Sequence, residues 1–155
     1  MRLNKKTFNS VSLVIIAVLF ISSLGYAKYR EHFLPTANLK VGNVELKVEV
    51  ADSVKSWQKG LSGRKSLPEN KGMLFVFPQE DRQSFWMKDM EFPIDIIWIN
   101  NGKIVDIAPN VQPSFIEPLP QYLPRLPSKF VLETVAGFSL KNKLKIGDSV
   151  EILTK

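Results

Sequence analysis

The sequence has no cysteine and only one histidine, His32. Without cysteine there can be no disulfide, thiolate nucleophile, zinc–thiolate centre or lipidated cysteine. His32 lies among charged residues in a probable linker, so composition also excludes Ser-His-Asp and Cys-His sites from the rest of the chain. A metal would have to be held by oxygen ligands alone. The glycines form no phosphate-binding loop, and we predict no metal and no cofactor.

The positive charge of the chain is divided between two regions. The net charge is +6, and half of it belongs to residues 1–27, which contain Arg2, Lys5 and Lys6 and no acidic residue. The remainder is only mildly basic, and its Lys and Arg residues are scattered. A nucleic-acid surface would need a basic stripe with interleaved aromatic residues, so we predict no nucleic-acid partner.

The N-terminal region has the pattern of an export signal. Residues 7–27 contain no charge, and an apolar run, Val11–Ile21, follows the basic N-terminus. Gly25-Tyr26-Ala27 fits a small-x-small cleavage site, whereas the uncharged length would also let residues 8–27 span a bilayer. The sequence leaves open a signal peptide cleaved near Ala27 and a retained anchor. In both cases the rest of the chain lies outside the cytoplasm, at the cell membrane or secreted or periplasmic.

The chain after the signal predicts one small β domain. We divide the chain into a signal peptide or anchor (1–27), a tether (28–37) and a single compact domain (38–155). In residues 44–50 apolar and charged side chains alternate, as in a half-buried strand. Asn101-Gly102 lies between two apolar runs, which is typical of a β-hairpin. The predicted strands are Leu39–Val41, Val44–Val50, Met73–Phe77 ended by Pro78, Gln83–Lys88, Pro93–Asn100, Lys103–Ile107, Phe130–Val135 and Ile146–Leu153.

The predicted fold class is mostly β (α+β), a small mixed, largely antiparallel sheet or barrel preceded by the N-terminal helix. Asp52 is expected to cap its one short helix, which ends near Gly60, and a turn of helix is the expectation for Ser139–Leu144. Residues 108–129 hold six prolines and form a long irregular loop, which is usually functional or disordered. Its apolar residues predict that it packs onto the domain; they are Phe115, Ile116, Leu119, Tyr122, Leu123 and Leu126.

Two carboxylates occupy positions where the strand pattern expects apolar side chains. Asp95 shares a strand face with Ile97 and Ile99, and Glu133 lies between Val131 and Val135. A buried carboxylate needs an ion-pair or hydrogen-bond partner. In a structural interpretation, Asp95 pairs with Lys88 and Glu133 pairs with Arg64.

In a functional interpretation the same charged groups line a pocket. The tryptophans Trp86 and Trp98 would form its walls, and a carboxyl pKa shifted by burial would support binding or acid–base chemistry. The candidate pocket residues are Arg64, Trp86, Lys88, Asp95 and Glu133. The sequence does not decide between the two interpretations.

A series of motifs resembles a known family. The motifs are Gly60-Leu61-x-x-Arg64-x-x-Leu67-Pro68, Gly72-Met-Leu-Phe-Val-Phe-Pro78, Ser84-Phe-Trp-Met-Lys88, Pro93-Ile-Asp-Ile96, Leu132-Glu133 and Ala136-Gly137. Their order and spacing resemble the bacterial and archaeal family "domain of unknown function 192" over about residues 38–153. The resemblance implies a mostly β domain, often behind a signal or anchor, with no established activity. After Lys88 this chain has Asp89-Met90 where the family usually has a small polar pair.

Two classes of function follow from these observations. The first is a non-catalytic binding or accessory module of the cell envelope, whose partner is an envelope polymer or an envelope protein. Its surface would include Phe85–Lys88, Asp95 and the proline-rich loop. The alternative is a small hydrolase or lyase that uses Asp95 and Glu133 as an acid–base pair, with Lys88 or Arg64 stabilising an anion. An assembly factor would instead expose an apolar patch on the loop.

Overall fold

The computed structural model describes residues 5–32 and 34–153, and within the N-terminal helix it describes the side chains of residues 11–26. That helix, α1, extends over Lys5–His32 and belongs to a unit separate from Pro35–Lys155. Its helical residues include the start of the expected tether. The positions of Arg2 and the His32 side chain lie outside the described residues.

The described part of α1 exposes apolar side chains in every direction. Its large apolar residues between Val11 and Tyr26 are each between 54% and 67% exposed. Within the described residues, we found no helix with both the length and the apolar character that crossing a membrane requires.

Seven strands form a single mixed sheet in the second unit. Its order is β5-β4-β6-β3-β2-β1-β7, and only β2 and β3 pair in parallel among the described strands. The strands are β1 Thr36–Val41, β2 Val44–Ala51, β3 Lys71–Asp81, β4 Ile94–Asn100, β5 Lys103–Val111, β6 Ser128–Val135 and β7 Val150–Leu153. The short helices are α2, Val54–Lys59, and α3, Phe138–Lys141. The predicted mostly β, mixed and largely antiparallel fold is confirmed, with two short helices in place of one.

The sheet curls until its two ends meet. Lys103 at the start of β5 forms an antiparallel bridge with Ser149, next to β7. Val150 N–H donates to the Gly102 carbonyl at 2.8 Å, and Ile104 N–H donates to the Asp148 carbonyl at 3.0 Å. The enclosed side chains form the first core, which includes Leu39, Val41, Leu46, Val48, Leu74, Ile97, Ile99, Ile104, Leu132 and Phe138.

The outer face of the sheet carries a second apolar layer. Residues paired across strands share a face, and the register pairs Phe75 with Val131 and Val131 with Trp98. All three are at most 1% exposed because other segments cover this face. Phe85 lies edge-on against both Phe75 and Trp98, with ring centroids 4.9 and 6.4 Å apart.

Three local predictions are corrected. The N-cap of α2 is Ser53 rather than Asp52, because Ser53 and Ser56 bond reciprocally to each other's backbone N–H. β3 continues past Pro78 to Asp81. Proline has no N–H to donate to a neighbouring strand, but the pairing of β3 with β6 is irregular between Val76 and Asp81 and does not require one there. Residues 83–88 form no strand, only an isolated bridge between Phe85 and Tyr122.

The prediction that the proline-rich loop packs down through its apolar residues is wrong for four of them. Phe115 and Ile116 are 84% and 79% exposed, and Leu123 and Leu126 are each more than half exposed. Polar contacts hold the later part of the loop instead. Arg125 forms an ion pair with Asp106 at 2.7 Å, and Arg82 Nε donates to the Pro124 carbonyl at 2.8 Å.

Candidate functional site

A cavity of about 180 Å³ opens on the outer face of the sheet. Its floor comes from β3 and β6, one wall from α2 and the turn after it, and the other wall from residues 84–90. We call it the Glu133 pocket. Its lining residues are Trp57, Gln58, Lys59, Gly60, Leu61, Ser62, Phe75, Phe77, Ser84, Phe85, Trp86, Met90 and Glu133.

Gly60 lets the chain pass close to the floor of the pocket. The reciprocal cap at Ser53 fixes the start of α2, and Gly60 ends the helix with a φ of 45°, which residues with a Cβ rarely adopt. A Cβ at this position would lie 3.3 Å from the Phe75 ring and 3.9 Å from Glu133 Oε2. The glycine therefore keeps open the space above the carboxyl group.

Packed aromatic rings give the pocket rigid apolar walls. Trp57 and Phe77 have ring centroids 5.0 Å apart, and Phe85 meets Phe77 edge-on at 6.3 Å. Trp57 Nε1 also donates to the Ala51 carbonyl at 3.0 Å, which fixes the orientation of the indole. Trp86, in contrast, is 48% exposed. One aromatic ring of the pocket is thus available to solvent.

Glu133 is the buried ionisable group of the pocket. It is 5% exposed, and its Oε2 has no hydrogen-bond partner among the described residues. Burial raises the pKa of Glu133 to about 8, although the positive charge of Arg64 partly opposes this rise. At neutral pH the side chain is therefore mainly a neutral carboxylic acid, which can donate one hydrogen bond and accept others.

Arg64 does not form the expected ion pair with Glu133. Its guanidinium binds the Glu49 carboxylate through two hydrogen bonds of 2.7 Å. The hydrogen bond from Arg64 lowers the pKa of Glu49, and the same bond raises the pKa of Arg64. Arg64 is therefore neutralised locally, and its influence on Glu133 is electrostatic.

Lys88 stands at the edge of the pocket. Its Nζ lies 5.8 Å from the centre of the Trp86 ring, within the range of a cation–π contact. The Lys88 carbonyl accepts a hydrogen bond of 2.8 Å from Ser62 Oγ, which joins the two pocket walls. The structure thus brings Trp86, Glu133 and, close by, Lys88 and Arg64 to one region of the outer face.

Asp95 lies on the other face of the sheet. It is fully buried and pairs across the strands with Thr134, whereas Ile96 pairs with Glu133. The Asp95 carboxylate accepts hydrogen bonds from the backbone N–H groups of Asn110 (2.8 Å), Gly137 (2.9 Å) and Ser139 (2.8 Å), and from the Ser139 hydroxyl.

These bonds give Asp95 a structural role. They tie β4 to the end of β5 and to the start of α3. The predicted Lys88–Asp95 ion pair is wrong, because backbone and hydroxyl donors occupy both oxygens of the carboxylate. The acid–base pair of Asp95 and Glu133 is also wrong, since the two side chains point to opposite faces of the sheet.

Sequence reasoning missed most of the pocket wall. The sequence indicates only strand positions for Phe75 and Phe77, it places Phe85 on the expected binding surface, and the glutamine and serines of the lining carry no signal. Trp98 was expected beside the pocket but is 1% exposed, and its Nε1 donates to the Gln83 carbonyl at 2.9 Å. The alternation of Phe75 and Phe77 could have indicated one aromatic face, but the sequence does not show that Glu133 shares it.

The donor set of the pocket offers no metal site. Among the described residues, no group of three or more His, Asp or Glu side chains lies close enough to hold a metal ion. The pocket instead combines one buried carboxyl, neutral hydroxyl and amide groups, and aromatic rings. This arrangement can bind a small group that is partly apolar and carries a hydrogen-bonding atom.

Two of the solved chains that match this chain show the extent of the likeness. One is a candidate transcription regulator from Sinorhizobium meliloti 1021, with 27% sequence identity and a TM-score of 0.71, covering 77% of this chain and 95% of that chain. The other is a protein of unknown function from Novosphingobium aromaticivorans, with 28% identity and a TM-score of 0.69, covering 76% of this chain and 86% of that chain. In both, the shared fold accounts for most of the solved chain.

No match was found among curated proteins. The family model DUF192, described as an uncharacterized ACR, matches residues 37–152. The match includes the whole Glu133 pocket and all seven strands apart from Thr36 and Leu153 at their outer ends, and it confirms the resemblance drawn from the motifs. The chain belongs to the DUF192 family.

Proposed function

We propose that this domain is a non-catalytic binding module of the cell envelope and that the Glu133 pocket is its binding site. The observation that carries the proposal is that Glu133 lines an aromatic cavity and that its buried Oε2 has no hydrogen-bond partner among the described residues. A buried polar atom without a partner costs about 1–3 kcal/mol. A ligand that supplies the missing partner recovers this cost, and the aromatic walls add apolar contact.

The geometry favours binding over acid–base catalysis. Asp95, the expected second carboxyl, lies on the opposite face of the sheet from Glu133. The two serine hydroxyls of the lining are engaged elsewhere: Ser62 Oγ donates to the Lys88 carbonyl, and Ser84 Oγ pairs with Gln121 Oε1 at 2.8 Å. Neither contacts a base that could activate it.

The proposed location outside the cytoplasm is supported by α1 and the sequence before it. Residues 7–27 are uncharged, and the large apolar side chains described in α1 are more than half exposed. Exposed apolar surface of this extent is unfavourable in water. We propose that residues 8–27 insert into the membrane, either as a lasting anchor or as a signal cleaved near Ala27.

Protease accessibility in intact cells tests the location. A C-terminally tagged full-length chain should be digested after the outer barrier is permeabilised while the cytoplasmic membrane remains sealed. A cytoplasmic marker should survive the same treatment. Protection of the tagged chain together with the marker would contradict the proposed location.

A pull-down of envelope material tests the binding function. Immobilised residues 35–155 should retain components of peptidoglycan sacculi or of a detergent extract of envelope proteins. Trp86→Ala should reduce this retention strongly, because the half-exposed indole forms part of the pocket. Leu140→Ala, at an exposed position of α3 that does not line the pocket, is the matched control and should bind like the wild type. Equal retention by all three proteins would count against the Glu133 pocket.

A further inference from the structure

We propose that the Glu133 pocket holds one uncharged sugar ring of an envelope glycan, whose oxygen atoms bond to the Glu133 carboxyl and whose C–H face stacks on Trp86. The inference rests on the proposed binding function and specifies its ligand class. The cavity of about 180 Å³ is smaller than the roughly 300–1,000 Å³ typical of pockets for drug-sized ligands. It therefore suits one ring at the end or side of a larger molecule.

The two kinds of surface in the pocket match the two kinds of surface on a sugar. A pyranose ring has an apolar face of C–H groups, which packs well on a flat aromatic ring, and a rim of hydroxyl oxygens. The pocket offers the exposed indole of Trp86 and, at its base, the unpartnered Glu133 Oε2. Gln58 provides a further exposed amide on the lining.

The charges around the pocket disfavour the main competing ligand, an organic cation. An aromatic cavity with a carboxylate is a common site for ammonium groups. Here, however, Lys59 lines the cavity, Lys88 Nζ lies 5.8 Å from the centre of the Trp86 ring, and the positive charge of Arg64 acts on Glu133. A bound cation would meet these positive charges, only one of which is neutralised, by Glu49.

The protonation state of Glu133 also disfavours a cation and favours a sugar. A cation would require the ionised carboxylate, which burial opposes, whereas a sugar oxygen accepts a hydrogen bond from the neutral acid. The other charged groups facing this carboxyl are Arg64 with its partner Glu49, and the lysines at positions 59 and 88. Burial raises the pKa of Glu133 to about 8, so its titration should govern binding near neutral pH.

Nuclear magnetic resonance of isotope-labelled residues 35–155 tests the inference directly. The chain has three tryptophans and so gives three indole N–H signals. On titration with N-acetylglucosamine trimer, maltotriose or cellotriose at pH 6, we expect the Trp57 and Trp86 signals to shift. The Trp98 signal should stay in place, because its N–H is bonded to Gln83 and its ring is buried.

The pH dependence separates the sugar from a cation. Binding of the active trisaccharide should be about tenfold weaker at pH 9 than at pH 6, as Glu133 loses its proton. Glu133→Gln keeps a hydrogen-bond donor and should bind at both pH values, whereas Glu133→Leu should not bind. Tetramethylammonium serves as the opposite probe. If it shifts the Trp86 signal and binds more tightly at pH 9, the sugar assignment is overturned.

The possible failures are distinguishable. If no trisaccharide binds while envelope material is still retained through Trp86 in the pull-down, the sugar assignment is wrong and the binding function stands. If neither saccharides nor envelope material bind, both the sugar assignment and the proposed binding function fail. If saccharides bind but Glu133→Leu binds equally well, the ring does not reach the carboxyl, and the inference is overturned.

Discussion

Replacing Glu133 by glutamine should change how the stability of the domain depends on pH. Glu133 is 5% exposed, and its Oε2 lacks a partner among the described residues. The substitution keeps the size of the side chain and removes its titration. Residues 35–155 suit the measurement, because they form a unit with its own core and because the similar fold makes up 95% of a solved chain.

The sign and size of the effect follow from the pKa. Glu133 has a pKa of about 8 in the folded protein against an ordinary value of 4.5. The folded state therefore holds the proton more tightly than the unfolded chain. Its stabilising effect is complete below pH 4.5 and is lost as pH rises towards 8. Each pH unit in this window costs about 1.4 kcal/mol, which amounts to about 3 kcal/mol by pH 7 and about 4 kcal/mol by pH 8.

Urea unfolding at pH 5, 6, 7 and 8, followed by tryptophan fluorescence, measures this dependence. The free energy of unfolding of the wild type should fall with pH relative to that of Glu133→Gln. The glutamine amide adds its own unsatisfied donors, so the test is the difference in slope and not the absolute stability. Glu45→Gln, at an exposed position on β2, should run parallel to the wild type.

The ion pair between Arg64 and Glu49 affects the stability of the domain in a different pH range. The pKa of Glu49 is lowered, so its contribution to stability is present above its ordinary pKa of 4.5 and is lost as pH falls. It therefore adds little slope between pH 5 and 8. If the wild type and Glu133→Gln ran parallel across that range, the carboxyl would be solvated or partnered, and the basis of the pocket assignment would be refuted.

Three further substitutions probe the contacts around the pocket and the loop. Arg64→Met should destabilise the domain by about 1 kcal/mol, since the ion pair of Arg64 with Glu49 is about one-third exposed. It should also raise the pKa of Glu133 further, because the positive charge of Arg64 lowers it, and the midpoint of the pH titration should move to higher pH. Asp95→Asn should cost about 2–4 kcal/mol in urea unfolding, because an amide places a donor against backbone N–H groups. Arg125→Ala should cost less than about 1 kcal/mol but speed limited proteolysis within residues 112–127.

The fold could be predicted where local patterns decide it. The alternation in residues 44–50 and the Asn101-Gly102 turn correspond to β2 and to the β4–β5 hairpin, because each depends only on neighbours in sequence. The extension of β3 through Pro78 could not be read in this way, since the irregular pairing with β6 permits it. The packing of the proline-rich loop could not be predicted from its own sequence either, because it is held by contacts between distant residues, Arg125 with Asp106 and Arg82 with Pro124.

Of the five candidate pocket residues, Trp86 and Glu133 line the pocket, and the arrangement of the others differs from the prediction. Asp95 and Glu133 were both recognised as carboxyls on apolar strands, and periodicity alone treats them alike. The register between β4 and β6 places them on opposite faces, and register between distant strands is not encoded in either segment by itself. The aromatic walls were missed for the same reason, because they come from α2, β3 and the segment before β4.

The hydrogen bonds of Asp95 and Glu133 show that the two carboxyl groups have different roles. Asp95 accepts four hydrogen bonds on the inner side of the sheet, which hold the end of β5 and the start of α3 in place and leave little capacity for a ligand. Glu133 is almost as deeply buried yet leaves Oε2 without a partner beneath a cavity. A buried carboxyl oxygen without a partner does not stabilise the fold. A ligand with a hydrogen-bond acceptor would supply the missing partner and so be bound more tightly. The contrast between two buried acids on adjacent strands is therefore the strongest argument that the pocket binds something.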